Sequence, residues 1–179
     1  MRENFVPALL LTLAHEGGWS DNPKDPGGAT MKGVTIATFT FYLGRQATKD
    51  ELRKITDAQI ADIYQRLYWE PSGGDMLPVG MDVAVFDAAV NVGPARAIRW
   101  VQQIVGATPD GAMGRQTANA VMNYAKTNGV RAMIEAFNAK RQGYYESLPT
   151  FATFGKGWTR RTHEVGEFAL ASLKGSTFA

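Results

Sequence analysis

The 179-residue sequence predicts a mainly α fold that carries a glycine-rich loop or small hairpin after its first helix. Three observations carry that expectation. Apolar residues recur at helical spacing through most of the chain. Threonine caps and Gly or Pro breaks delimit the periodic segments at ordinary helix lengths. One stretch alone is dominated by turn chemistry: residues 14–35, AHEGGWSDNPKDPGGATMKGVT, which hold five glycines and two prolines.

The elements follow in order. Residues 5–14 (FVPALLLTLA) place Phe5, Leu9, Leu10 and Leu13 on one helical stripe, with Asn4 as the expected cap and Pro7 in the first turn. The apolar run is read as a buried helix and not as a signal peptide: Glu3 spoils a basic leader, Pro7 interrupts the run, and cleavage would fall against EGGW. It is also too short to span a bilayer, which takes about 20 residues. Residues 17–35 are read as loop or short hairpin, and 33–43 as a short strand or, by preference, a helix starting near Thr35. Thr48-Lys-Asp-Glu51 and Thr56-Asp-Ala-Gln59 both have the capping-box pattern, the second opening a helix to about Tyr68 with Ile60, Ile63, Tyr64 and Leu67 on one face. Residues 69–74 break the chain. Val83, Phe86 and Val90 mark a core helix over 81–91, and Gly93-Pro94 separates it from a helix running to Val105. A tight loop, TPDGAMG, spans 108–114, with helices expected over 115–127, 129–146 and 159–173.

Bulk chemistry narrows the function classes. There are no cysteines, which excludes a disulfide framework and a thiolate metal site and suits cytoplasmic folding. Two histidines, His15 and His163, offer little for a histidine-rich metal site. The net charge of +2 is mildly basic and no basic helix stands out, so nucleic acid is not an expected partner. The densest basic spot, Lys156 to Arg161, reads either as a solvated surface turn or as a binding patch.

Glu16 sits where the first helix meets the glycine-rich loop. A carboxyl near apolar surface loses solvation in its charged form, which favours the proton. A carboxylic acid kept protonated is what glycoside cleavage needs in order to protonate a leaving group. The alternative is a helix-end glutamate that fixes loop backbone. Glycoside hydrolysis ordinarily uses a second carboxylate. Asp25, in an Asp-Pro-Gly-Gly turn, is the preferred candidate and Asp21 its competitor. Both also fit ordinary turn chemistry. Thr30 and Thr35 follow as hydroxyls able to orient a water.

The ordered series E16-GGW-S-DNP-K-DPGG-A-T-MK-G-V-T35 resembles the signature of glycoside hydrolase family 108, the N-acetylmuramidases found as phage endolysins and as lysozyme-like enzymes of bacterial protein-release systems. The resemblance implies a lysozyme-like, two-lobed α+β fold and makes Glu16 the catalytic acid. Phage lysozymes show a looser likeness: Glu16 and Asp25 keep their eight intervening residues, whereas Thr30 follows after four in place of five. FDAAVNVGPARA (86–97) resembles the segment that heads the central helix in phage lysozymes, where Asn91 either lines the sugar cleft or caps the helix break. Residues 92–178 resemble the family's predicted peptidoglycan-binding region, through DGAMGRQT (110–117), RQGYYESL (141–148) and FGKGWTRR (154–161).

The expected organisation is a catalytic lobe over 1–91 and a peptidoglycan-binding-type helical lobe over 92–179, packed as one unit. The expected activity is cleavage of the β-1,4 bond between N-acetylmuramic acid and N-acetylglucosamine. Glu16 and Asp25 are its catalytic residues, and Trp19, Thr30, Thr35, Asn91 and Tyr144 its substrate contacts. No metal and no cofactor is expected. A chitinase- or chitosanase-like hydrolase and a non-catalytic wall-binding protein are the alternatives. Partners follow from the resemblance: peptidoglycan glycan strands, neither nucleic acid nor membrane insertion, a monomer, and dependence on a holin or export system to carry a cytoplasmic product to the periplasm.

Overall fold

A computed structural model describes residues 2–22 and 28–175. Among the described residues the fold is mainly α, with one two-stranded antiparallel sheet. Contacts divide the chain into a small unit, residues 9–66, and a large unit made of the rest.

The first helix, α1 (Arg2–Ala14), supplies residues to both units. It starts earlier than expected, so Asn4 lies inside it and does not cap it. The Asn4 side-chain amide instead donates to Asp82 Oδ2 at 2.7 Å within the large unit. The buried stripe is also rotated from the expected one. Phe5, Ala8, Leu9 and Thr12 are buried, at i, i+3, i+4 and i+7, whereas Leu10 is 64% exposed.

In the small unit, β1 (Thr30–Met31) pairs with β2 (Val34–Thr35). The turn residues Lys32 (φ 48) and Gly33 (φ 78) both have positive φ, as a two-residue type I′ hairpin demands. Thr35 then caps α2 (Ile36–Leu43), accepting from the Thr38 N–H. Both predicted capping boxes form, at α3 (Lys49–Arg53) and α4 (Asp57–Tyr64). Val34, Phe39, Leu52, Ile60, Ile63 and Tyr64 are buried. Two exposed ion pairs tie loop to helix: Lys49 to Asp21 at 2.9 Å and Lys32 to Asp57 at 2.8 Å. The helix expected to reach Tyr68 leaves α geometry after Tyr64 and continues as a π-helical turn, Gln65–Trp69.

The large unit is organised around α5 (Met81–Val92), in which every residue from Met81 to Ala89 is buried. A helix buried on all sides belongs at the centre of a bundle. It packs against α6 (Pro94–Val105), α8 (Val130–Glu146) and α9 (Phe151–Ser172), and α7 (Arg115–Asn128) packs on α6 and α8. Phe5, Trp69 and Phe86 meet edge to face, their centroids 5.4–5.8 Å apart. Helix α9 begins eight residues before the expected Thr159, so the basic run 156–161 is helical and not a turn. At Gly155 the Phe151 ring packs so close that a Cβ on residue 155 would sit 2.7 Å from it. That aromatic contact offsets the poor helix propensity of Gly155. Among the described residues, no helix is long and apolar enough to cross a membrane.

Candidate active site

In the small unit, the last turn of α1 tightens as it ends. The His15 N–H donates to Thr12 O and the Glu16 N–H to Leu13 O, both at three-residue spacing. The chain leaves through Gly17 and Gly18 and then returns along β1. Ser20 and Thr30 exchange both backbone hydrogen bonds, at 3.0 and 2.8 Å. The glycine-rich stretch therefore builds a third short rung on the hairpin.

This fold-back puts the Glu16 carboxyl against the hairpin turn. A Cβ at Gly33 would lie 3.1 Å from Glu16 Oε2 and only 2.3 Å from the Tyr64 hydroxyl oxygen. Contacts that close leave room for glycine alone, and the positive φ asks for glycine as well. The Tyr64 hydroxyl donates to Lys32 O at 3.0 Å, pinning the turn from the α4 side. Glu16 is half-buried, less enclosed than the sequence reading expects. Tyr64 reads in the sequence only as one apolar position of α4, and its part in this corner was missed. The available signal is Lys32-Gly33 itself, a turn dipeptide whose glycine marks a close approach.

The other sequence candidates divide between the two units. Trp19, half-buried, carries the Arg53 guanidinium over one ring face at 4.3 Å from the centroid. Thr30 and Thr35 are directly opposed in the hairpin, on one face of the sheet. The Thr35 hydroxyl is engaged with α2, accepting from Thr38 N at 3.0 Å and paired with Thr38 Oγ1 at 2.9 Å. Asp21 is gripped through both carboxylate oxygens by Lys49, at 2.9 and 3.0 Å, which makes it a loop anchor. Asp25 lies outside the described residues.

Asn91 and Tyr144 belong to the large unit. Asn91 is exposed at the end of α5, and its Oδ1 accepts from Arg141 Nη2 at 2.8 Å and from the Tyr145 hydroxyl at 3.4 Å. Beneath it, buried Asp87 receives Arg141 at 2.7 Å and Arg161 at 2.9 Å. Burial by itself pushes the Asp87 carboxyl up, but the two guanidiniums outweigh it and hold the group at about 2. Asp87 and Asn91 are i, i+4 neighbours on one face of α5. The sequence reading missed Arg141 and Arg161, which lie 54 and 74 residues further on. Tyr144 is half-buried, with the Arg96 guanidinium over its ring at 4.7 Å and bonded to its hydroxyl. It packs on Trp100 at 5.4 Å. The DGxxGxxT turn is knitted by buried Gln102, which donates to Asp110, Ala112 and Thr117 and accepts from the Gly111 N–H.

Known proteins give this geometry a context. The family described as Glycosyl hydrolase 108 matches residues 9–93, and the one described as Predicted Peptidoglycan domain matches residues 96–163. The solved structure of Brucella abortus SagA is 40% identical and superposes with a TM-score of 0.84, over 96% of this chain and 97% of that one. No curated protein matches. A glycosyl hydrolase match that runs from the Glu16 hairpin through α5, a peptidoglycan domain over most of the remaining helices and a structural relative that covers nearly the whole chain agree: the chain belongs to glycoside hydrolase family 108 and is a glycoside hydrolase acting on peptidoglycan.

Proposed function

We propose that the protein is an N-acetylmuramidase that cleaves the β-1,4 bond between N-acetylmuramic acid and N-acetylglucosamine, with Glu16 as the acid. The observation that carries this reading is the seating of the Glu16 carboxyl against Gly33, beside the Tyr64 hydroxyl. A carboxyl held in one place at a turn that admits no side chain is positioned for proton transfer. Glu16 gives its proton to the glycosidic oxygen as the bond breaks toward an oxocarbenium-like transition state. Asp25 is the second carboxylate, stabilising the developing positive charge or activating water. Asp21 is the weaker choice, because Lys49 already neutralises it. Of the two threonines, Thr30 is the better water holder, since capping occupies the Thr35 oxygen. Trp19 offers a sugar the ring face opposite Arg53. Asn91 offers its amide nitrogen, its oxygen being held by Arg141. Tyr144 contributes aromatic surface. The enzyme acts as a monomer, and a holin or dedicated export system delivers it to the periplasm.

The test is digestion of purified Gram-negative sacculi followed by mass spectrometry of the muropeptides. New reducing ends at muramic acid are expected, and ends at glucosamine would reject the bond assignment. Glu16→Gln is expected to abolish release with an unchanged melting temperature. Asp25→Asn is expected to lower turnover by about 10²-fold or more while the fold is kept. Wall clearing by Glu16→Gln at the parent rate would remove Glu16 from the mechanism.

A further inference from the structure

Asn91 stands at the solvent end of a polar chain that reaches into the centre of the large unit. It is exposed in the last turn of α5, whereas Asp87, one turn earlier, and Arg141 of α8 are fully buried. Arg141 Nη2 donates to Asp87 Oδ2 at 2.7 Å and to Asn91 Oδ1 at 2.8 Å, so one nitrogen with two hydrogens links the buried carboxylate to the exposed amide. Arg141 Nε donates to the Tyr145 hydroxyl at 3.1 Å, which leaves that hydroxyl its own hydrogen for Asn91 Oδ1 at 3.4 Å. The Tyr145 ring is buried and stacks on Trp158 of α9, their centroids 5.2 Å apart. Residues of three helices therefore fix one side-chain oxygen.

The direction of the amide follows from donor chemistry. A guanidinium has no acceptor, so only the oxygen of Asn91 can face it, and the reverse orientation would set N–H against N–H. Among the described residues, the Asn91 side chain bonds through its oxygen alone, and its nitrogen is turned away from the cluster with both hydrogens unused. Arg141 is also a poor choice if the cluster served only to fill the core. Its Nη1 is buried with no hydrogen-bond partner among the described residues, a cost that an apolar side chain of similar volume avoids. What the guanidinium supplies, and an apolar side chain cannot, is the orientation of Asn91.

We infer that Arg141 is a positioning residue for the glycan strand: with Tyr145 it holds the Asn91 amide oxygen inward, so that the nitrogen donates to an acceptor oxygen of the sugar. An amide free to turn would present either end to the strand and would lose that freedom on binding. A fixed amide meets the strand already oriented, which removes this part of the cost of association. Asp87 has its place in the same arrangement, because it occupies the other hydrogen of Arg141 Nη2 and so sets the plane of the guanidinium. This deepens the substrate contact proposed above for Asn91 and rests on it.

Co-sedimentation of the full chain with purified Gram-negative sacculi tests it, with Glu16→Gln in every protein so that the wall is not digested. Asn91→Asp keeps the oxygen that Arg141 holds and puts a second oxygen where the nitrogen stood. It is expected to weaken binding about tenfold at the parental melting temperature. Arg141→Lys keeps a charge beside Asp87 without the guanidinium fork, and Asn91→Ala removes the donor. Each is expected to weaken binding about three- to tenfold, and the double variant no more than Asn91→Ala alone, because Arg141 acts through Asn91. A merely structural Arg141 would add its loss to that of Asn91→Ala. Should Arg141→Lys melt below the assay temperature, Tyr145→Phe takes its place in the same cycle, since it keeps the ring on Trp158 and removes only the hydroxyl. Parental binding by Asn91→Asp, additive losses in the cycle, or no binding to sacculi at all would overturn the inference. Because binding is read without cleavage, the two readings fail separately. Reducing ends at glucosamine in the active enzyme reject the muramidase alone, and parental binding by Asn91→Asp rejects this inference alone.

Discussion

Gly33→Ala probes the Glu16 corner most sharply, and its effect has two separable parts. The first is conformational: at φ 78 an alanine pays a left-handed penalty of about 1–2 kcal/mol. Gly44 measures that part alone, because it has φ 66 and nothing within 4 Å of its Cβ position. The second is steric. A Cβ on residue 33 would stand 2.3 Å from the Tyr64 oxygen, so the ring must move and its bond to Lys32 O breaks. Tyr64 is 1% exposed, and losing a buried hydroxyl bond adds about 1–3 kcal/mol. Gly33→Ala is therefore expected to cost about 2–5 kcal/mol in urea unfolding, against about 1–2 kcal/mol for Gly44→Ala. Tyr64→Phe should recover much of the steric part, giving a non-additive double mutant. The same Cβ presses on Glu16 Oε2 at 3.1 Å, so kcat on sacculi should fall about tenfold while Gly44→Ala keeps parental activity. Equal stability costs at the two glycines, together with parental hydrolysis by Gly33→Ala, would refute the packing of Glu16 and Tyr64 on this turn.

The same structure sets the outcome of further perturbations. Arg141→Met leaves buried Asp87 short of one guanidinium and is expected to destabilise the large unit by about 3–5 kcal/mol in denaturant unfolding. Because the folded Asp87 carboxyl is lowered from 3.8 to about 2, its contribution is complete above the unfolded value and is lost as pH falls through about 2. The melting temperature of the parent should therefore drop over that acid window, and less so in Arg141→Met. Thr56→Ala removes one side of the capping box at α4 and is expected to cost about 1 kcal/mol by thermal unfolding. Arg53→Ala uncovers Trp19 and should change tryptophan fluorescence at a stability cost of about 0.5–1 kcal/mol; Trp19→Ala should raise KM on sacculi.

Much of the fold was legible because its signals are local. Thr48 with Glu51 and Thr56 with Gln59 close hydrogen bonds over three residues, so reading the spacing amounts to reading the bond. Pro94 at the start of α6 and Lys32-Gly33 in the hairpin act through their own φ angles. Glu16 stood out as a candidate for a similar reason: the glycine-rich segment that follows it is a backbone statement, written in residue types.

What the residues alone determined, then, is the helical class, the cap and turn positions, the family signature and the acid candidate. Which partners the side chains take was decided in three dimensions. Asp87 meets Arg141 and Arg161 across 54 and 74 residues, and Tyr64 reaches Lys32 across 32. Asn4 leaves its expected cap for Asp82, 78 residues away, and the Phe151 ring packs on Gly155 inside α9. The physical reason is one of range. A cap or turn is set by the few bonds next to it, while burial and ion pairing depend on where distant segments pass. Only the folded path brings those groups within hydrogen-bond reach.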